Sequence, residues 1–393
     1  MVVKPKIRGF ICTTSHPEGC EENVKRQIKF IKSKPKFNCK KNILVIGCST
    51  GYGLSSRIAC AFGGGASTIG VMFERPATKK RTATSGWYNT AAFEKMAISN
   101  NLYTKTINGD AFSQETKNKV IDLIKSDLGK VDMVIYSLAA PKRTMLDSTK
   151  VSSVLKTIGK EYTNKTIDLS NNKLSEVTIP CASEQEIEDT IKVMGGEDWK
   201  DWIEALKKAN AIEDDAITVA YSYVGPEITF PIYAEGTIGM AKKHLLKTAN
   251  EITNTMDGVK AYISINKALV TQSSAAIPIV PLYITILYKI MKAHNLHEGC
   301  IEQMYRLFGE KFNGNLNFDE QGRIRLDDYE MKIDIQQKVL DVWKSISDDN
   351  INELADINGY WKDFYEMFGF NFSNIDYDKD VNIEINIPSI DWT

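Results

Sequence analysis

ILVIGCSTGYGLSSR, residues 43–57, is the stretch on which the fold turns. A short apolar run ends on Gly47, two more glycines stand at positions 51 and 53, and a helix-like pattern begins at Leu54. An unbroken apolar run of this kind is how a strand covered on both faces reads. The same alternation continues downstream. Apolar runs at 69–73 (IGVMF), 103–107 (a weaker one) and 131–137 (VDMVIYS) predict strands, and helical patterns at 54–62, 91–98 and 117–128 separate them. Two more strands are predicted at 217–221 and 259–265, with a long helical pattern over 238–252 between them. Strands that alternate with helices imply an α/β fold, a doubly wound parallel sheet of the Rossmann type.

The 393 residues, 43% hydrophobic and 25% charged, suit one large globular domain. Its core is expected at about 41–142 and 214–300, with a 1–40 N-terminal extension, a 143–213 insertion and a 301–393 C-terminal cap. Trp199 and Trp202 are expected to pack the insertion, and the alternating VNIEINIPSI (381–390) to form an edge strand or cap. Basic and acidic residues nearly cancel, 49 against 50, so neither nucleic acid nor a membrane surface is expected as a partner. The basic run 25–41 reads as a solvated helix face.

The apolar stretch 275–291 (AAIPIVPLYITILYKIM) is interrupted by Pro278, Pro281 and Lys289. It falls short of the ~20 residues of a membrane span, so a buried helix is expected. Seven cysteines include no Cys-x-x-Cys pair, and the start resembles no signal peptide, which predicts a cytoplasmic protein without disulfides. No metal is expected, since His294 and His297 have no third ligand beside them.

Glycines at 47, 51 and 53, between a strand and a helix, let the main chain approach a pyrophosphate at the helix N-terminus. The Gly-x-x-x-Gly-x-Gly spacing is that of short-chain dehydrogenases. Glu74 ends the second strand 21 residues after Gly53, where an acid takes the adenosine ribose hydroxyls and repels a 2′-phosphate. It favours NADH over NADPH, an inference that the adjacent Arg75 weakens slightly. Asp110 and Ala111 after the third strand, and Ser137 to Ala140 after the fourth, would border the same crevice.

Reduction on such a scaffold needs a proton donor, usually a tyrosine whose pKa a lysine lowers. Tyr233 precedes a helical pattern and Lys242 follows nine positions later; Thr237 stands at the four-residue spacing of ordinary short-chain dehydrogenases. With this spacing, and with KPKIRGFICTTSHPEGCE (4–21), GCSTGYGLSSR (47–57), FERP (73–76), YSLAAPKR (136–143), YSYVGPEITFPIYAEGTIGMAKKHL (221–245) and KALVTQSSAAIP (267–278), the chain resembles the trans-2-enoyl-CoA reductase family, which includes the FabV-type enoyl-acyl-carrier-protein reductases.

The resemblance runs nearly end to end and implies roles. Tyr233 would be the proton donor, Lys242 would hold the nicotinamide ribose and tune Tyr233, and Tyr223 would hydrogen-bond the substrate's thioester carbonyl. Gly47, Cys48, Ser49, Thr50, Gly51, Tyr52, Phe73, Glu74, Asp110, Ala111, Leu138 and Ala139 would bind NADH, and Leu269, Val270 and Thr271 would close over the nicotinamide. Residues 277–291 would line the acyl pocket. The expected reaction is hydride transfer to the β-carbon of a trans-2-enoyl thioester, carried by coenzyme A or by acyl carrier protein, with an enolate held by tyrosine hydroxyls. No flavin is expected, since the nicotinamide hydride suffices, and the protein is expected to be a monomer. A ketone or 3-ketoacyl reductase on the same fold and a non-catalytic NADH sensor are the alternatives.

Overall fold

The computed structural model describes residues 1–390 apart from positions 10, 146, 273 and 315. Ser273, inside the KALVTQSSAAIP stretch, therefore lies outside the described residues. The centre is a seven-stranded sheet in which every pairing is parallel. In chain order its strands are β1 (Asn42–Ile46), β2 (Ser67–Met72), β3 (Thr104–Asn108), β4 (Val131–Tyr136), β5 (Ile212–Ser222), β6 (Lys260–Ile265) and β7 (Ile324–Arg325). They lie in the order β7-β6-β5-β4-β1-β2-β3, so the direction of winding reverses between β1 and β4. Ile43 pairs with Thr68 on one side and Met133 on the other. Ile43, Leu44, Val45 and Ile46 are all fully buried, as a central strand with helices on both faces requires.

The helices needed by that sheet are α1 (Pro17–Lys32), α2 (Gly51–Ile58), α3 (Ser85–Ser99), α4 (Gln114–Asp127), α5 (Glu184–Met194), α6 (Glu197–Lys208), α7 (Thr237–Thr255) and α8 (Val280–Ala293). Apolar side chains of α1, α2, α3 and α8 pack on one face and those of α4, α6 and α7 on the other. Caps set several starts: Ser113 accepts from Thr116 N ahead of α4, and Ser183 with Glu186 forms a capping box ahead of α5. The doubly wound α/β architecture is the expected one.

The differences have local causes. α3 starts at Ser85, ahead of the expected 91, because SGWYN is buried against the tail as well as the sheet. β5 runs over Ile212–Ser222 with an irregular register between Ile212 and Ile217, where Glu213, Asp214 and Asp215 break the apolar run. Trp199 and Trp202 are fully buried, but they anchor α6 to the sheet itself: Trp199 Nε1 donates to Thr218 Oγ1 at 2.8 Å and Trp202 Nε1 to the Ala111 carbonyl at 3.1 Å. The 381–390 stretch forms no strand. Its alternation is real, with Val381, Ile383 and Ile387 buried and Asn382, Glu384 and Asn386 exposed. Side chains of α3 take the place of a partner strand, Tyr88 Oη donating to Ile383 O at 2.8 Å and Trp87 Nε1 to Ile385 O at 2.7 Å.

Candidate active site

The residues singled out for a cofactor gather at the carboxyl ends of the strands, around the point where winding reverses. That crevice is where open α/β sheets take ligands. Gly47 leaves β1 with φ +82°, and a Cβ there would lie 2.4 Å from the Ser137 carbonyl oxygen after β4. Only glycine meets both conditions, so the turn between β1 and α2 is held tight against the β4 end. α2 then starts at Gly51 with its first N–H groups uncapped by any described side chain, and a Cβ on Gly51 would have no described atom within 4 Å. An anion is the natural occupant of that helix end.

Glu74 follows β2 and is pinned by Asn108 at the end of β3, which accepts from Glu74 N at 2.8 Å and donates to Glu74 O at 2.9 Å. Its Oε1 accepts from Ser49 Oγ at 2.7 Å, and a Cβ on Gly86 would sit 2.0 Å from that oxygen, so the carboxylate lies against the first turn of α3. Phe73 beside it is 79% exposed, an apolar ring left at the crevice mouth. Asp110 turns back on its own loop, accepting from Phe112 N at 3.0 Å. Leu138 is half-buried and Ala139 exposed. Glycine loop, acid, open ring and small residues form a donor set and a shape that fit a dinucleotide.

The chemistry side of the cleft comes from β5, the loop after it, α7 and the loop after β6. Tyr223 and Tyr233 meet edge to face with ring centroids 4.8 Å apart. Tyr233 Oη has no hydrogen-bond partner among the described residues, whereas Tyr223 Oη donates to Glu330 Oε1 at 3.0 Å. Lys242, half-buried on the second turn of α7, donates to the Tyr221 carbonyl at 3.3 Å, and burial lowers its pKa to about 8.

Two expectations change here. Lys242 does not reach the Tyr233 hydroxyl in this state, and the Tyr233 pKa is raised, first by burial and then by the Glu330 charge, instead of lowered. Leu269 and Val270 are buried and Thr271 is half-buried, its N–H donating to Ser274 Oγ at 2.9 Å. Tyr52 is tied to the same loop, donating to the Lys267 carbonyl at 2.8 Å.

Sequence reasoning passed over Glu330, Tyr283 and Lys267. Glu330 is fully buried; its Oε1 also accepts from Tyr283 Oη at 2.7 Å, and its Oε2 from Ala268 N at 2.7 Å. Lys267 is buried with its ammonium over the Tyr288 ring, 4.9 Å from the centroid, and burial lowers its pKa to about 8. In the sequence Glu330 stands in the acidic run DDYE and reads as solvated. The one available signal was Lys267, a charge directly behind an apolar strand.

Comparison with known proteins matches residues 81–313 to the family model described as the trans-2-enoyl-CoA reductase catalytic region. Residues 2–79 match the NAD(P)H binding domain of trans-2-enoyl-CoA reductase, and 318–381 an enoyl reductase FAD binding domain. The chain is 56% identical to the trans-2-enoyl-CoA reductase [NADH] of Ruminiclostridium cellulolyticum, over 99% of this chain and 100% of that protein. It is 55% identical to the enoyl-[acyl-carrier-protein] reductase [NADH] of Flavobacterium johnsoniae, with the same coverage. The crystal structure of the Clostridium acetobutulicum trans-2-enoyl-CoA reductase in complex with NADH superposes with a TM-score of 0.95 at 45% identity, covering 98% of each chain.

The match over 318–381 overturns the expectation of no flavin. Within that stretch Glu330 accepts from Tyr223, and the buried side-chain atoms left without a hydrogen-bond partner among its described residues are Tyr360 Oη and Glu366 Oε1.

Proposed function

The chain belongs to the trans-2-enoyl-CoA reductase family, and from that premise we propose which residues of this chain carry the reduction of a 2-enoyl thioester. The protein is an NADH-dependent enoyl thioester reductase. The observation that carries the assignment of roles is the Tyr233 hydroxyl, unpartnered among the described residues and stacked edge-on to Tyr223 at the carboxyl edge of the sheet. Gly47, Cys48, Ser49, Thr50, Gly51 and Tyr52 hold the pyrophosphate half of the cofactor, Phe73 and Glu74 its adenosine, and Asp110, Ala111, Leu138 and Ala139 the remaining walls. Bound there, NADH supplies the hydride.

The rest is done by this chain's side chains. Tyr223 donates to the thioester carbonyl oxygen, where charge gathers as the double bond is reduced. Tyr233 delivers the proton to the α-carbon. Lys242 holds the nicotinamide ribose through an ammonium whose pKa burial lowers to about 8. Leu269, Val270 and Thr271 close the nicotinamide side, and the apolar face of α8 with residues 277–279 lines the acyl pocket.

We read the chain as one large domain with its core at 41–142 and 214–300, a 1–40 extension, a 143–213 insertion and a 301–393 cap. We propose coenzyme A as the acyl carrier and a monomer as the working form, to be checked by turnover with matched coenzyme A and acyl-carrier-protein substrates and by sedimentation. All seven cysteines are unpaired thiols, which suits the cytoplasm. Among the described residues no helix is long and apolar enough to cross a membrane.

The testing experiment is NADH oxidation with crotonyl-CoA beside acetoacetyl-CoA. Rapid loss of NADH with crotonyl-CoA alone supports the reading; oxidation only with acetoacetyl-CoA moves the chemistry to a ketone and removes Tyr223 from its role. Like charges brought together cost several kcal/mol, so Glu74→Ala is expected to raise the NADPH-to-NADH ratio of kcat/KM by about 10- to 100-fold. An unchanged ratio would take Glu74 out of cofactor choice.

The Lys242 charge prevails below about 8 and is lost above it. Its assistance is therefore present on the acid side and disappears as pH rises, and kcat is expected to fall through that range. A rate flat to strongly alkaline pH would mean that the ammonium does not assist.

A further inference from the structure

Tyr223 has one hydroxyl hydrogen, and the proposed role gives that hydrogen to the substrate. In the structure it goes elsewhere, to Glu330 Oε1 at 3.0 Å. The conflict resolves if Glu330 alternates between two protonation states that its surroundings satisfy equally. Gln336 Nε2 donates to Tyr283 Oη at 3.2 Å and to the Glu330 carbonyl at 2.7 Å, so Tyr283 receives there and must give its own hydrogen to Glu330 Oε1 at 2.7 Å. Ala268 N–H, in the loop that leads to Leu269, Val270 and Thr271, donates to Oε2 at 2.7 Å.

With Glu330 ionised, Oε1 accepts from both tyrosines and the Tyr223 hydrogen is consumed. With a proton on Oε1, that oxygen still accepts from Tyr283 but donates to Tyr223 Oη. The Tyr223 hydrogen is then released toward the cleft. No bond to carbon is involved: Oε1 takes up one proton from solvent, the two tyrosine hydrogens stay on their own oxygens, and the direction of one hydrogen bond reverses.

We propose that Glu330 is the positioning residue of the Tyr223 hydroxyl, its protonated form turning Tyr223 into the hydrogen-bond donor that the thioester carbonyl requires. This rests on the reading of Tyr223 given above. The carboxyl belongs to a segment more than 100 positions downstream (Glu330 against Tyr223), so the C-terminal cap takes part in the site as well as covering it. The groups that face it are Lys267 from the loop after β6, Asp327 on its own segment, Tyr52 from α2, Tyr283 from α8, and the Tyr223 and Tyr233 pair. Burial raises the Glu330 pKa and the Lys267 charge opposes that.

The test compares wild type, Glu330→Gln and Glu330→Ala. A glutamine amide N–H donates to Tyr223 permanently and its carbonyl keeps the Ala268 N–H, while the Tyr283 hydroxyl loses its acceptor at that atom. Wild type should lose kcat for crotonyl-CoA in two steps as pH rises, one belonging to Glu330 and one to Lys242. E330Q should keep only the Lys242 step. E330A should lose about 10- to 100-fold in kcat with little change in KM, part of what losing one oxyanion donor costs.

Independently of turnover, ligand-free wild type at mildly acidic pH should show an infrared C=O band of a buried protonated carboxyl, absent from E330Q, and NADH fluorescence titration checks that each variant is folded. An E330Q pH profile matching wild type, or the same carboxyl band in both proteins, overturns the proposal. If wild type does not turn over crotonyl-CoA at all, it is the underlying reading that fails, and the infrared band still decides the state of Glu330.

Discussion

Tyr233→Phe is expected to lower kcat with crotonyl-CoA by about 100- to 10,000-fold, the range that one positioned general acid supplies, while NADH binding and thermal stability stay close to wild type. The expectation of a clean loss comes from what the hydroxyl does not do. Tyr233 is buried, its ring lies edge-on to Tyr223 with centroids 4.8 Å apart, and its backbone N–H is bonded to Thr229 O at 2.9 Å. All of that survives in phenylalanine. The oxygen itself has no hydrogen-bond partner among the described residues, so its removal leaves no orphaned donor or acceptor and costs little in folding.

Tyr288→Phe serves as the contrast. Its hydroxyl donates to Asp363 Oδ2 at 2.8 Å and receives from Val270 N at 3.2 Å, so that change strips two buried groups of partners and should appear in stability before it appears in chemistry. Stopped-flow turnover, an NADH fluorescence titration and a melting curve on both variants separate the two cases. Y233F turning over at the wild-type rate would remove Tyr233 as the acid. Y233F failing to bind NADH would mean that the hydroxyl helps to hold the cofactor.

The sheet was legible because central parallel strands are buried on both faces and leave unbroken apolar runs, as in 43–47 and 131–137. β7 was not, since two residues, Ile324 and Arg325, carry no period. The cofactor half of the site was legible as well, because its residues lie at strand ends and sequence order reveals strand ends. The network around Glu330 was hidden for the opposite reason. Its members come from β5, the loop after β6, α8 and a C-terminal turn, and no local pattern records that they meet. Charge pattern even pointed the wrong way, with Asp327 and Glu330 fully buried in a run that reads as solvated. The 381–390 stretch shows a subtler case: the alternation correctly marked which residues are buried, but the partners are tyrosine and tryptophan side chains, which strand propensity does not encode.

The same tail supplies the second large effect. Glu94→Ala is expected to destabilise the protein by about 3–5 kcal/mol, the usual result of removing one partner from a buried charge pair. Arg57, in the glycine-loop helix, is fully buried beneath the sheet edge; it donates to Thr106 Oγ1 at 2.8 Å, Thr104 Oγ1 at 2.7 Å and the Lys105 carbonyl at 2.7 Å. Those are neutral acceptors. The compensating charge within reach is Glu94, its Oε1 3.9 Å from Arg57 Nη2 and its side chain fully buried. Glu94 also fastens the tail, accepting from Ser389 N at 2.9 Å through Oε2 and from Ser389 Oγ at 2.8 Å through Oε1, while Ser389 Oγ receives from Thr106 N on the edge strand at 2.8 Å.

Alanine therefore leaves an uncompensated guanidinium inside the core and releases 381–390 together. An exposed pair sets the scale: Lys119 with Glu115 on α4 is closer, 2.7 Å, yet solvated on both sides, and its loss should cost no more than about 1 kcal/mol. Denaturant melts of E94A and K119A, with hydrogen exchange read over 381–390, decide the matter. E94A melting like K119A would mean that Arg57 is neutralised by its threonine cage alone, and protection of the tail unchanged in E94A would show that Trp87 and Tyr88 hold it without Ser389.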